Sequence, residues 1–341
     1  MQTYIEIQDT FNALGKTSAY IGERWPQIVE FFGGRQQLVF TGCGSSYSLA
    51  KSMAIIARVL TGRQAYAMAS GDMLLHAGRY AASLDGACVI AVSRSGRTSE
   101  LLMALEALKE TGRTFKFAAF ICADGTPLEA ISDLTLAAPW AFDESVCQTR
   151  SVTNFYYMAA NIFARLADDR ILLDDLQKTV DIGPEYMAQA EKLAEELSRR
   201  PWSHCVVLAD AELEGIAEEG SLAFKEICQI PSSYHHLLDV RHGPIVLIGA
   251  DTLVLAALGT CGALETGLLR DVSAKGAAVA AFTDIKADPG CAYISTFGSK
   301  LSHIAQGIPF ILLCQLISYK KALCEGADPD RPAGLDSWIK L

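Results

Sequence analysis

The chain is 341 residues long, half of them apolar and a fifth charged, which is enough for two ordinary folded domains, each with its own core. A formal net charge of −10 argues against nucleic-acid binding as the main task, because a phosphate backbone calls for clustered Lys and Arg; it leaves a small phosphate ligand open, since local backbone donors bind that. The opening has no basic region followed by an apolar core, no apolar run is expected to span a membrane, and the ten cysteines include no Cys-x-x-Cys pair, so the expected setting is cytoplasmic with reduced thiols.

Residues 1–34 read as an amino-terminal helical arm. Tyr4 to Phe32 is amphipathic, Trp25, Ile28, Phe31 and Phe32 form a packing face, and Gly33-Gly34 stops the helix. Residues 35–166 read as a first domain of alternating short apolar strands and helices. The strands are Leu38–Thr41, Ala65–Ala69, Cys88–Val92, Lys116–Cys122 and Leu134–Ala137; the helices between them include Ser46–Leu60 and Ser99–Thr111. Such alternation with buried strands predicts an α/β, doubly wound parallel sheet.

Two strand-to-helix turns in this half share one design. The first is Gly42-Cys43-Gly44-Ser45-Ser46; the second is Ser93-Arg94-Ser95-Gly96-Arg97-Thr98-Ser99. The first N–H groups of a helix have no intrahelical partner and the dipole favours negative charge there. Serine and threonine hydroxyls add donors, and glycine lets the backbone come close. Neither turn ends in Gly-Lys-Ser/Thr, and neither has the third glycine of the dinucleotide fingerprint. Each turn alone is an N-cap or an anion site. On neighbouring parallel strands the two converge at the carboxyl edge of the sheet, which suits a small phosphate monoester.

Asp143 to Arg150 interrupts the alternation, and a helix from Ser151 to Leu166 closes the half. Residues 167–200 read as a helical connector broken by Pro201. Residues 201–341 repeat the same grammar: a strand at Cys205–Leu208, a helix at Gly215–Ile227, strands at Val246–Leu247 into Thr252–Leu258 and at Ala277–Phe282, and a helix at Gly307–Leu323. This reads as a degenerate internal duplication. Where the first copy has its Gly-x-Gly-Ser-Ser turn, the second has Ala209-Asp210-Ala211-Glu212, and paired carboxylates repel phosphate. One phosphate per chain is therefore expected, bound by the first half. Glu226 on a helix and His242 before a strand offer a carboxylate and an imidazole, the groups that proton transfer beside a carbonyl requires; each is also compatible with a purely structural role. His235-His236 invites a metal reading with His242 and Asp239, but the i, i+4 helical pair of a zinc site is missing.

The two serine turns, with Phe224-Lys225-Glu226 and Arg241-His242-Gly243-Pro244, resemble the SIS (sugar isomerase) family across nearly the whole chain. The arrangement is similar to the isomerase half of glucosamine-6-phosphate synthase and to the ketosamine-6-phosphate deglycases. The resemblance implies two flavodoxin-like SIS domains in tandem, with the phosphate on Gly44, Ser45, Ser46, Ser93, Arg94, Ser95 and Thr98. It implies Glu226 and His242 as the catalytic pair, His242 being supplied by the neighbouring subunit of a homodimer or higher homo-oligomer. Gln148 and Thr149 fall in the loop that covers the sugar. No cofactor, metal, nucleic acid or membrane is implied; the partner is a small phosphosugar.

Departures from that pattern shape the expectation. Arg94 stands where the synthase has an uncharged amide, so it either binds phosphate bidentately or points outward to a carboxylate. No amino-terminal Cys nucleophile or glutaminase domain is seen. The tail after Leu335 lacks the synthase's Schiff-base lysine two residues on, and Lys340 comes too late. The expected function is a deglycase splitting a 6-phosphorylated ketosamine; an aldose–ketose isomerase or aminosugar-phosphate deaminase, and a non-catalytic phosphosugar sensor, are the alternatives.

Overall fold

The amphipathic opening folds as helices α1 (Gln2–Gln8) and α2 (Thr10–Phe32) in the computed structural model, which describes residues 1–34 and 37–336. Of the expected packing face, Ile28, Phe31 and Phe32 are buried and Trp25 is half-buried. The chain divides into two compact units. The first holds residues 12–144 and 148–173, the second residues 1–11, 145–147 and 174–335. Residues 1–34, read from the sequence as one arm, are thus shared between the two.

In the first unit the strands are β1 (Gln37–Gly42), β2 (Gln64–Ala69), β3 (Cys88–Ser93), β4 (Lys116–Ile121) and β5 (Leu134–Ala137). The helices between and after them are α3 (Ser45–Thr61), α4 (Ser70–Tyr80), α5 (Ser99–Glu110), the short α6 (Pro127–Ala130) and α7 (Arg150–Leu166). All neighbours pair in parallel in the order β2-β1-β3-β4-β5. Both faces of the sheet are covered, as strands apolar on both sides require. Val39, Val89, Ala91, Phe117, Ala119 and Ile121 pack with Leu101, Leu105 and Leu108 of α5. On Phe40 sits the ring of Phe163 from α7, 5.9 Å between centroids, and Phe32 packs on the same ring. The edge strand β5 is closed by α2: the Ala137 N–H donates to the Tyr20 hydroxyl, and Arg24 donates to the Thr135 carbonyl, so unpaired backbone groups do not invite another strand.

Helix α8 (Arg170–Ser198) leads into β6 (His204–Leu208), α9 (Glu214–Ile227), β7 (Ser232–His235), β8 (Thr252–Ala257), α10 (Ala263–Ala274), β9 (Ala278–Phe282), β10 (Tyr293–Ser295) and α11 (His303–Glu325). The sheet runs β10-β9-β8-β6-β7, again all parallel. Taken from each unit's own first strand, both sheets follow the path 2-1-3-4-5, the flavodoxin-like order. Val206, Leu208, Val254, Ala256, Val279 and Ala281 pack with Leu268, Leu269 and Val272 of α10. On the other face α11 lies so close to α9 that a Cβ on Gly220 would stand 2.9 Å from the Cys314 sulfur.

Several details differ from the sequence reading. Val246–Leu247 is no strand: Pro244–Leu247 is a 3-10 turn that buries none of its residues, and both side chains are exposed. The polar stretch at Ser232 is strand β7, and α4, α10 and β10 are additional elements. Contrary to the expectation that no apolar run reaches that length, α11 is long and apolar enough to cross a membrane. It is a core helix, with 83% of its apolar window buried. Within the second unit the N–H groups of Gln2 and Thr3 each donate to the Asp330 carboxylate at 2.8 Å, and the Thr3 hydroxyl does the same.

Candidate functional site

In the first sheet the chain leaves β1 toward β2 on one side and β3 toward β4 on the other. Strands β1 and β3 are direct neighbours, with Leu38 beside Cys88 and Thr41 beside Ala91. The crevice outside their carboxyl ends is the switch point at which ligands of open α/β sheets bind. Both serine turns lie there, as the sequence predicts.

The first turn enters α3. Gly42 has no room for a side chain: a Cβ would stand 2.6 Å from the Ser46 Cβ and 2.8 Å from its carbonyl carbon. Gly44 takes φ 54° and caps the helix. The first α3 turn is drawn onto the strand end, and Ser45 and Ser46 are each only 4% exposed. Neither hydroxyl is engaged by another group among the described residues. Cys43 lies between them and the sheet; burial pushes its thiol up to about 11, with Ser70 and Glu100 as its polar neighbours, so it stays protonated at neutral pH and is a poor nucleophile.

The second turn is held by its own hydroxyls. Ser93 Oγ accepts from the Gly96 N–H at 3.1 Å and shares a bond with Thr98 Oγ1 at 3.1 Å, while Ser95 Oγ accepts from the Arg97 N–H. Gly96 takes φ +62°, and a Cβ there would meet Thr126 Oγ1 at 2.5 Å. Its carbonyl accepts from Leu128, so the α6 turn buttresses the loop. The Arg94 side chain is 5% exposed and lies over the Phe142 ring, 5.7 Å from the centroid.

Next to Phe142, Asp143 is 1% exposed and gathers the start of α7. It accepts from the N–H groups of Thr149, Arg150 and Ser151 at 2.9, 3.1 and 3.0 Å, and from the Ser151 hydroxyl at 2.5 Å. Thr149 is fully buried and its own hydroxyl also faces Asp143, at 3.3 Å. Gln148 is half-buried, with Oε1 3.2 Å from Ser151 Oγ. Sequence reasoning singled out the Gln148-Thr149-Arg150 loop but not the work of Asp143, whose partners start six residues on, outside any short capping motif.

In the second unit Glu226 is half-buried in the last turn of α9, and the neighbouring Lys225 is exposed and donates to Ser221 Oγ. His242 follows the 3-10 turn Asp239–Arg241, donates its N–H to the Asp239 carbonyl at 2.8 Å, and leaves its side chain exposed. Among the described residues the His242 side chain makes no hydrogen bond or ion pair. Arg241 is held by Asp271 at 2.6 Å. His236 pairs with Asp210 at 3.0 Å and His235 meets Ser233 Oγ at 3.2 Å; burial draws the His235 pKa down, against the pull of Asp239. The position two residues after Leu335, Ser337, and Lys340 lie outside the described residues.

The second sheet has its own switch point between β6 and β8. There the Glu265 carboxylate accepts from the N–H groups of Gly259, Thr260 and Gly262 and from the Thr260 hydroxyl. Burial alone would raise its pKa, but these bonds outweigh it and hold the carboxyl below its ordinary value. After β6, Asp210 is engaged by His236 and by the Leu237 N–H, and Glu212 lies 3.9 Å from His303.

Residues 32–163 match the family described as SIS domain. The chain is 27% identical over 343 residues to the isomerizing glutamine–fructose-6-phosphate aminotransferase of Pseudomonas aeruginosa, covering 94% of this chain and 54% of that protein. It is 29% identical over 266 residues to the same enzyme of Vibrio cholerae, covering 72% and 43%. The chain thus spans about half the length of the curated relatives it matches. In fold it resembles the tagatose-6-phosphate ketose/aldose isomerase of Escherichia coli, with TM-score 0.85, 20% identity and coverage of 98% and 96%. It also resembles the glucosamine-6-phosphate deaminase of Thermotoga maritima, with TM-score 0.82, 22% identity and full coverage of both chains.

Proposed function

For a chain that carries a SIS domain and is homologous to the isomerizing glutamine–fructose-6-phosphate aminotransferases, we propose an enzyme that splits a 6-phosphorylated ketosamine into hexose 6-phosphate and an amine. The observation that carries the phosphosugar part is the pair of serine turns flanking one switch point, with the Ser45 and Ser46 hydroxyls unengaged among the described residues and so open to a ligand. The phosphate sits on the Ser45 and Ser46 donors and on the second turn, where Ser95 and Thr98 are the half-buried members. Ser93 shapes that turn from inside.

His242 assists ring opening by moving a proton at the ring oxygen. Glu226 takes the C1 proton of the open-chain ketosamine, giving an enaminol. Returning a proton to C2 yields an aldimine at C1, and water cleaves it to the aldehyde and the free amine. The balance is ketosamine plus water giving hexose phosphate plus amine, so no metal or organic cofactor enters. An exposed His242 with no bond to its own Glu226 supports a site completed by a second copy of the chain.

The test is to incubate the protein with fructosamine 6-phosphates and with glucosamine 6-phosphate, following amine, ammonia and hexose phosphate. Amine together with hexose phosphate is the expected result. Ammonia from glucosamine 6-phosphate would replace the deglycase by a deaminase, and interconversion of ketose and aldose phosphates alone would replace it by an isomerase. Consumption of none of them would leave a phosphosugar sensor.

A further inference from the structure

We propose that Asp143 is a positioning residue for the sugar part of the substrate, acting through Ser151 on Gln148. The inference deepens the phosphosugar reading and rests on it.

A helix of seventeen residues begins with unpaired N–H groups and a positive dipole end. In α7 these are not met by the N-cap side chain, since Thr149 makes no cap bond of its own. They are met by a carboxylate placed before the loop. Three backbone N–H groups and two hydroxyls converge on Asp143, and Arg150 Nε stands 4.0 Å from its Oδ1. Residue 143 and the start of α7 therefore form one fixed block, and charge-assisted bonds of this kind are the strong ones.

Gln148 is attached to that block at a single point. Ser151 Oγ donates its one proton to Asp143 at 2.5 Å and stands 3.2 Å from the Gln148 amide, whose nitrogen, when turned toward it, donates to the hydroxyl oxygen, so Ser151 links the buried carboxylate to the amide. One end of the amide is held and the other has no hydrogen bond among the described residues, an arrangement that presents it to a ligand hydroxyl. Asp143 is also next in sequence to Phe142, on which the Arg94 guanidinium of the second phosphate turn rests. The phosphate turns hold their shape through bonds of their own, so loss of Asp143 should spare phosphate and weaken the sugar.

The experiment measures binding of fructose 6-phosphate and of inorganic phosphate by calorimetry in four proteins: the parent, Asp143→Asn, Gln148→Ala and the double variant. Asn keeps the volume, but its amide nitrogen faces donors where the carboxylate had acceptors. Fructose 6-phosphate should weaken about tenfold in Asp143→Asn, one good hydrogen bond's worth, with inorganic phosphate within about twofold. In the Gln148→Ala background Asp143→Asn should add nothing. Ser151→Ala removes the bridge but keeps the three N–H groups on the carboxylate; it should weaken fructose 6-phosphate in the same direction even if Asp143→Asn folds poorly. Equal loss of both ligands, an additive double variant, or no effect of Ser151→Ala would overturn the assignment. An inert Gln148→Ala would do so too, leaving the phosphosugar reading intact. Failure of the parent to bind either ligand would instead sink that reading, and this inference with it.

Discussion

Replacing Gly42 by alanine should damage the phosphate site through a clash that can be sized. The new Cβ would stand 2.6 Å from the Ser46 Cβ, 2.8 Å from its carbonyl carbon and 3.0 Å from its carbonyl oxygen. Carbon atoms rest at about 3.5–4.0 Å, so the first turn of α3 must retreat by roughly 1 Å. Two of the atoms met are backbone, and rotating the Ser46 side chain does not relieve them. Overpacking of this kind costs about 1–3 kcal/mol, which in a chain this size lowers Tm by a few degrees. The retreat carries the Ser45 and Ser46 donors out of the roughly 2.7–3.2 Å range of a hydrogen bond. Each bond to a charged group is worth about 1.5–3 kcal/mol, so phosphate affinity should drop at least about tenfold. Calorimetric binding of inorganic phosphate, with a melting curve alongside, reads both effects. Gly22→Ala is the control: Gly22 lies in α2 with nothing within 4 Å of its Cβ position, and alanine there should stabilise by about 0.5–1 kcal/mol. A Gly42→Ala protein that melts and binds phosphate like the parent would refute the placement of the ligand at this turn.

Ser45→Ala combined with Ser95→Ala should raise Kd for the phosphosugar strongly, each lost bond to the charged group costing about 1.5–3 kcal/mol; parental binding would mean the phosphate lies elsewhere. Glu226→Gln should lower kcat by about a hundredfold or more while binding is kept, and mixing it with His242→Asn protein should restore part of the activity if sites are shared between copies. Sedimentation showing an active monomer would rule that sharing out. At Asp330 burial alone would raise the carboxyl pKa, but the Thr3 and Gln2 N–H groups and the Thr3 hydroxyl hold it below the ordinary value. Its stabilisation is therefore complete above the unfolded value of about 4 and fades as pH falls through the folded one. Asp330→Asn should melt below the parent at neutral pH, and the gap should close in acid.

The placement of the two serine turns was legible because their signal is local. A buried strand, a glycine, two or more hydroxyl residues and a helix all fall within about ten positions, and strand adjacency then follows from the parallel alternation. The strands with apolar cores, β1, β3, β4, β5, β6, β8 and β9, were legible for the same reason. What escaped depends on partners far away in sequence. Strand β7 is polar and follows Pro231, and it is a strand because β6 pairs with it, Cys205 with Ser232 through Leu208 with His235. Val246 and Leu247 are apolar but sit on a turn that Pro244 opens, so hydrophobicity alone misleads there. Helix α4 carries glycines at Gly71 and Gly78, which weaken its pattern. The contact of the Arg94 guanidinium with the ring of Phe142 was not legible either. No spacing rule joins residue 94 to residue 142.

The two units make a comparison in which fold is constant and chemistry is not. Both sheets reverse their strand order at the same step, so both create a crevice at the carboxyl ends of their first and third strands. In the first unit the crevice ends in backbone and hydroxyl donors, and the hydroxyls of Ser45 and Ser46 have no partner among the described residues. In the second unit the equivalent donors after β8 are already taken: three N–H groups and a hydroxyl converge on Glu265, as they would on an anion. The opposite turn, after β6, carries Asp210 and Glu212 in place of serines. A carboxylate supplied by the chain itself is always present at the turn, so a dissolved phosphate would have to displace it and also meet the two further negative charges nearby. The two units thus share a geometry, and on the proposed reading only the first keeps it open to an anion. On that reading the second unit contributes Glu226 and His242, side chains that lie outside its own switch-point turns.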